Sequence, residues 1–149
     1  MMRRLLFVRL AVAILWLAGV ALGAEADALQ ALIAKLPADD PAVAHGVFQE
    51  IMKGAPASVA ELTRRLVEPG KGDDVKVRFA LHGLAIYTSR PGAEAERKVY
   101  AQALCGQLDS ALPSAVKGFL LMQLQLAGGP ENAPAIARFL LDKDLCEYA

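Results

Sequence analysis

The side chains that could do chemistry in this 149-residue sequence are few and scattered. There are two histidines, His45 and His82, and the hydroxyls besides tyrosine are Ser58, Ser89, Ser110, Ser114, Thr63 and Thr88. A hydrolytic serine sits on a tight Gly-x-Ser-x-Gly elbow next to its base, and none of these serines has that setting. A zinc site needs three or four ligands of matched geometry. The sequence has no Cys-x-x-Cys, His-Glu-x-x-His or calcium-loop pattern, so neither a metal nor a cofactor is expected. Asp39-Asp40 and Asp73-Asp74 are the only acid pairs that suggest a dyad. Both stand where helices should begin, and the positive end of the helix dipole with its free N–H groups gives a simpler reason for them. Gly70-Lys71-Gly72 shares two residue types with phosphate loops but lacks the rest of that pattern and follows a helical stretch, so a plain loop is expected.

No catalytic residue is therefore expected. One polar grouping stands out: Arg78, His82 and Ser89 share a helical face with Ala85 and form a candidate partner-binding face, the plainer alternative being a solvated or half-buried side. Arg64-Arg65 and the run Glu94 to Lys98 read as solvated helix faces, with Glu94 and Lys98 in the i, i+4 order that favours pairing. Cys105 falls on an apolar seam with Ala101, Leu104 and Leu108, which predicts a buried free thiol. A bridge to Cys146 is the alternative that an oxidising compartment would permit.

Charge and composition narrow the field further. Sixteen basic residues balance sixteen acidic ones, which removes any whole-chain case for nucleic-acid binding. With 55% apolar and 21% charged residues, long disorder is not expected. Arg3, Arg4 and Arg9 lie in residues 1–24, which contain no acid, so the remainder has 13 basic against 16 acidic residues. Leu10 to Leu22 is uninterrupted apolar residue or glycine. Its thirteen residues would span roughly 20 Å as a helix, short of a ~30 Å hydrocarbon core. A basic start, a short apolar run and a small-residue exit predict a signal peptide over 1–24, cleaved within 23–26. The product would be periplasmic or extracellular with no stable membrane span; an uncleaved anchor is the alternative.

The elements that must position any site follow from prolines, caps and periodicity. Helices are predicted near 26–36, 41–53, 56–67, 74–88, 93–109, 113–127 and 131–141, with another starting near 143. Asp40-Pro41 and Ser110 to Pro113 look like helix starts, and Gly54, Gly70 to Gly72 and Gly128-Gly129 look like helix exits. No alternating pattern of useful length predicts a strand. The 113–127 helix is apolar around much of its circumference, which predicts neighbours on two sides. A repeat is visible: Phe79, Leu81, Leu84 and Ile86 match Phe119, Leu121, Leu124 and Leu126 at an offset of 40. Asp40 to Val43 likewise matches Asp74 to Val77 at an offset of 34. Helix pairs recurring at such spacing predict an α-solenoid, with Leu84 and Leu124 at equivalent core places. Gly46, Gly83 and Gly118 lie inside first helices of pairs, and close crossing by a neighbour would account for them.

On these segments, Asp73 to Leu84 and Leu140 to Ala149, the chain resembles HEAT-like repeat proteins, including exported bacterial ones. The resemblance covers about residues 40–149. In that family an Asp often opens the first helix and an Arg or Lys follows, places filled here by Asp74 and Arg78; the third unit departs, with Ser114 and Lys117. The resemblance implies an all-α, right-handed α-solenoid of antiparallel helix pairs over 25–149. It also implies a noncatalytic exported scaffold whose partner is a protein. Alternatives are the accessory N-terminal region of a larger exported enzyme, or a lyase-like or chromophore-handling role known for some HEAT-like proteins. Because Phe139 to Leu141, Leu145 and Tyr148 follow without a polar cap, the repeat array is expected to continue beyond Ala149.

Overall fold

A computed structural model describes residues 25–149, and the signal peptide expected over 1–24 lies outside the described residues. The chain divides into two compact units, Met1–Ala31 and Leu32–Ala149. The described part of the first unit is helical and belongs to α1, residues 25–34. All that follows concerns the second unit.

Among the described residues every regular element is a helix and no strand occurs, so the protein is all-α. After α1 come α2 (Pro41–Lys53), α3 (Ala57–Arg64), α4 (Val75–Thr88), α5 (Glu94–Leu108) and α6 (Ser114–Ala127). A 3-10 turn, Pro130–Asn132, leads into a short α7, Ala133–Ala137. Local chemistry sets these limits. Asp40 caps α2 by accepting from the Ala42 N–H at 2.8 Å, and Pro41 takes the first turn, where a missing N–H costs nothing. Asp73, at the start of α4, accepts from the Val75 N–H at 3.1 Å. Ser110 belongs to the end of α5, where its hydroxyl donates to the Gln107 carbonyl at 2.5 Å, and α6 starts behind Pro113.

Three expected helices differ from those found. The helix expected over 56–67 stops at Arg64, because the Val67 N–H is taken by the Asp74 carboxylate at 2.9 Å and cannot bond back along a helix. The helix expected over 131–141 is broken up. Beyond α7 the amides of Phe139 and Leu140 bond to Ile136 and Ala137, three residues back, which is 3-10 winding. The helix expected from 143 is a set of turns in which Asp142 Oδ1 accepts from the Asp144 and Leu145 amides at 2.9 and 3.2 Å.

Packing follows the order of the chain. α4 lies against α2 and α6, and α5 against α3 and α7, while α4–α5 and α5–α6 are sequential neighbours in contact. The core between them holds Leu62, Leu81, Leu84, Tyr100, Leu104 and Leu120, all without exposed surface. Leu84 and Leu124 are both core residues, at 0% and 3% exposure, as their shared register predicts. The Tyr100 hydroxyl donates to the Leu81 carbonyl at 2.7 Å, fixing α5 against α4, and burial pushes this phenol above its usual range. Gly83 is where the Phe48 ring of α2 presses on α4, and Gly118 is where the Tyr148 ring rests on α6. Gly46 has open space at its Cβ position, so close crossing does not account for it.

Candidate functional site

Five of the six serine and threonine hydroxyls, those of Ser58, Thr63, Thr88, Ser89 and Ser110, donate to backbone carbonyls. Ser58 donates to Ile51 O at 2.7 Å, Thr63 to Ala60 O at 2.8 Å and Thr88 to Leu84 O at 2.8 Å. A hydroxyl whose proton is held by a carbonyl has no base to take it, so these positions are structural. His45 and His82 go separate ways. The His45 ring meets Tyr87 with centroids 4.9 Å apart, and His82 Nδ1 faces Gln123 Oε1 at 3.0 Å. Among the described residues no group of three His, Cys, Asp or Glu side chains is placed to hold a metal.

The acid pairs also resolve into structure. Asp74 is buried, and its oxygens meet Arg78 Nε at 2.9 and 3.0 Å as well as the Val67 N–H. Arg78 in turn donates to Val67 O at 2.8 Å, so the pair laces the loop after α3 onto α4. Burial pushes the Asp74 carboxyl up, but Arg78 and the Val67 amide together pull further, and it lies below the usual carboxylate range. Asp74 thus binds a loop instead of capping its own helix, while Asp73 supplies the local turn. Glu61 is held low by Arg64 and then Arg65, which both grip it from the same helix turn. The Glu94 carboxylate accepts from the Gly92 N–H at 3.3 Å, and the ion pair at this corner is Arg90 with Glu96 at 2.6 Å. Cys105 and Cys146 are both free. Cys105 is half-buried, with its sulfur 3.5 Å from Asn132 Nδ2, and burial raises its pKa.

Arg78, His82 and Ser89 lie together along the boundary of α4 with α6, and each makes a contact across it. The Arg78 guanidinium sits 4.8 Å from the Phe119 ring centroid. Gln123, 2% exposed, donates from Nε2 to Phe119 O at 3.1 Å, so its Oε1 is the atom left to accept from His82. That assignment puts a proton on Nδ1. The Ser89 hydroxyl lies 2.7 Å from Ala85 O and 3.1 Å from Leu126 O. Partner numbers rise together along both helices, from Arg78–Phe119 to His82–Gln123 to Ser89–Leu126, so α4 and α6 run in the same direction.

Next to this polar seam is an apolar stripe. Val75, Phe79 and Ile86 of α4 and Met122 and Leu126 of α6 keep 69%, 42%, 59%, 46% and 47% of their surface in water. On α4 they lie at i, i+4 and i+11, one helical face, with His82 between Phe79 and Ile86. Comparison with protein-family models, curated proteins and solved structures returns no match. Single exposed hydrophobes need no explanation, but a contiguous group is costly to leave in water and marks interaction surfaces. It was readable only in part from sequence. The match of Ile86 with Leu126 was visible, but a repeated apolar residue suits the core as well as the surface. The broad apolar character of α6 reflects both: α4 and α5 cover two sides, and Met122 and Leu126 face out.

A shallow cavity of about 310 Å³ lies near the end of α6, lined by Leu124, Gly128, Ala133, Ile136, Ala137 and Leu140 among others. It has no polar side chain to orient a ligand or drive a reaction.

Proposed function

We propose that this chain is a noncatalytic, exported helical-repeat scaffold that binds protein through the surface formed by α4 and α6. The observation that carries this reading is the apolar stripe Val75, Phe79, Ile86, Met122 and Leu126, left in water beside a polar margin of Arg78, His82 and Ser89. Five of the six serine and threonine hydroxyls are spent on backbone, and those on this surface, Thr88 and Ser89, are among them, which favours binding over chemistry here. The contact order supports a HEAT-like α-solenoid, right-handed as in that family. First helices of successive pairs (α2, α4, α6) touch one another, as do second helices (α3, α5, α7), the pattern of stacked repeats. The basic start and thirteen-residue apolar run of the sequence support export to the periplasm or beyond.

A photo-crosslinking residue at Ile86, with a control at the exposed Lys98, tests the binding reading in producing cells. Adducts at Ile86 that are absent at Lys98 are expected. Equal labelling at both positions, or none at Ile86, would overturn it. N-terminal sequencing of the recovered protein tests export: a start within residues 24–27 is expected, and an intact Met1 defeats it.

A further inference from the structure

We infer that the partner bound by the stripe is a second copy of this chain, related by a twofold axis passing near the middle of the stripe, beside Met122. The inference rests on the binding reading above and names its occupant. Two observations favour a second copy.

The first is area. Roughly half of each of five large apolar side chains stays in water, on the order of 400–500 Å² per chain. A stable standard interface covers about 800 Å² per partner, with an apolar centre and a polar rim. The stripe is the right size for that centre. His82 and Ser89, beside it on α4, and Gln125, exposed on α6, supply polar groups for the rim. Met122 near the middle adds an unbranched side chain that fills irregular gaps.

The second is charge. A self-complementary contact brings every charge of the face against its own kind, so it tolerates few unpaired ones. Neither α4 nor α6 contains an acid. Arg78, the charged residue at the margin, is neutralised by Asp74 at 2.9 Å. Lys76 reaches away from the stripe to Ala34 O at 3.0 Å. Lys117 is one position past Val116, a core residue, and lies off the i, i+3, i+7 series of Phe119, Met122 and Leu126. The face offers nothing to attract a strongly charged partner and little to repel its own copy. A bilayer fits less well, since the stripe residues other than Val75 and Ile86 are more than half covered by neighbours and do not project as a membrane-inserting face would.

The test is the mass in solution of the full chain as its cells process it, followed by light scattering across a concentration series. A dimer that dissociates on dilution is expected. Ile86→Glu places a carboxylate in the apolar contact from each copy and should weaken association by about a hundredfold or more. Lys98→Glu should leave it unchanged, and unaltered circular dichroism in both variants excludes unfolding as the cause. In a Cys146→Ser background, Met122→Cys should crosslink to its own copy. A monomer at every concentration, or a dimer indifferent to Ile86→Glu, overturns the inference. If that monomer still gives Ile86 adducts with a different protein, the scaffold reading survives while the second-copy inference fails; if it gives none, both fail. A monomer that sediments with vesicles of equal parts phosphatidylglycerol and phosphatidylcholine, through Ile86, also overturns it.

Discussion

Two glycines that look alike in the sequence should answer alanine in opposite directions. Gly46 lies inside α2 and Gly83 inside α4. Where a methyl group has room, alanine recovers about 1 kcal/mol of the helix cost of glycine. A Cβ at Gly46 would meet nothing within 4 Å, so Gly46→Ala should stabilise the fold by about 0.5–1 kcal/mol. A Cβ at Gly83 would enter the Phe48 ring, with Cε1 at 2.6 Å and Cε2 at 3.0 Å. Phe48 cannot simply swing aside, because it is buried with its ring centroid 6.1 Å from that of Tyr87. Overpacking of this kind costs about 1–3 kcal/mol, which exceeds the propensity gain and leaves Gly83→Ala destabilised by about 1 kcal/mol. For a domain of this size each kcal/mol moves the melting midpoint by about 3–6 °C. Thermal melts should therefore move up for Gly46→Ala and down for Gly83→Ala. Phe48→Leu should relieve the clash, so the Phe48→Leu, Gly83→Ala pair should be more stable than the sum of its single effects by about 1 kcal/mol. A Gly83→Ala protein that melts at or above the parent, or strict additivity with Phe48→Leu, would refute the reasoning.

Leu84→Ala and Leu124→Ala should each cost about 2–5 kcal/mol in denaturant titrations, because both side chains are buried and the cavity left cannot fully collapse. His82→Ala should cost far less, about 1 kcal/mol, since it removes one hydrogen bond from a largely exposed residue. Tyr100→Phe should cost about 0.5–1.5 kcal/mol by removing the bond to Leu81 O. For Asp74, the folded carboxyl titrates below its unfolded value. Its contribution is complete above the unfolded Asp value, about 3.9, and is lost as pH falls through the depressed folded value. Stability measured against pH should show that acid loss in the parent, and Asp74→Asn should flatten it; an unchanged acid limb in the variant would remove Asp74 from the account.

The sequence is legible where local chemistry decides the outcome. Asp40 and Pro41 specify the start of α2, and the Leu81, Leu84, Leu121, Leu124 register specifies the inner faces of α4 and α6. Legibility ends where a distant group decides. The end of α3 depends on Asp74 claiming the Val67 amide from seven residues away, which no periodicity in 56–67 could show. The segment 131–141 has helical spacing, but its amides close onto carbonyls three residues back. Arg78, His82 and Ser89 are readable as one face. Their contacts with Phe119, Gln123 and Leu126 are not, because these need the direction and offset of a second helix.

That offset gives the candidate surface its meaning. Arg78 meets Phe119 and His82 meets Gln123, both at a separation of 41 residues, and the sequence repeat has an offset of 40. Residues matched in the repeat are therefore side by side on adjacent helices that run the same way. For Leu81 with Leu121 and Leu84 with Leu124 this builds core, and burial is reason enough for the match. For Ile86 with Leu126 it builds surface, where burial explains nothing and exposure to water opposes the choice. Polarity alone misleads at this boundary: a glutamine, Gln123, is buried, while an isoleucine faces out. The buried Gln123 amide is satisfied by Phe119 O and His82, so α4 and α6 are tied together by hydrogen bonds without drawing the outer apolar residues inward. With His82, Gln123 and Ser89 engaged across the seam, the apolar residues beside it stay in water.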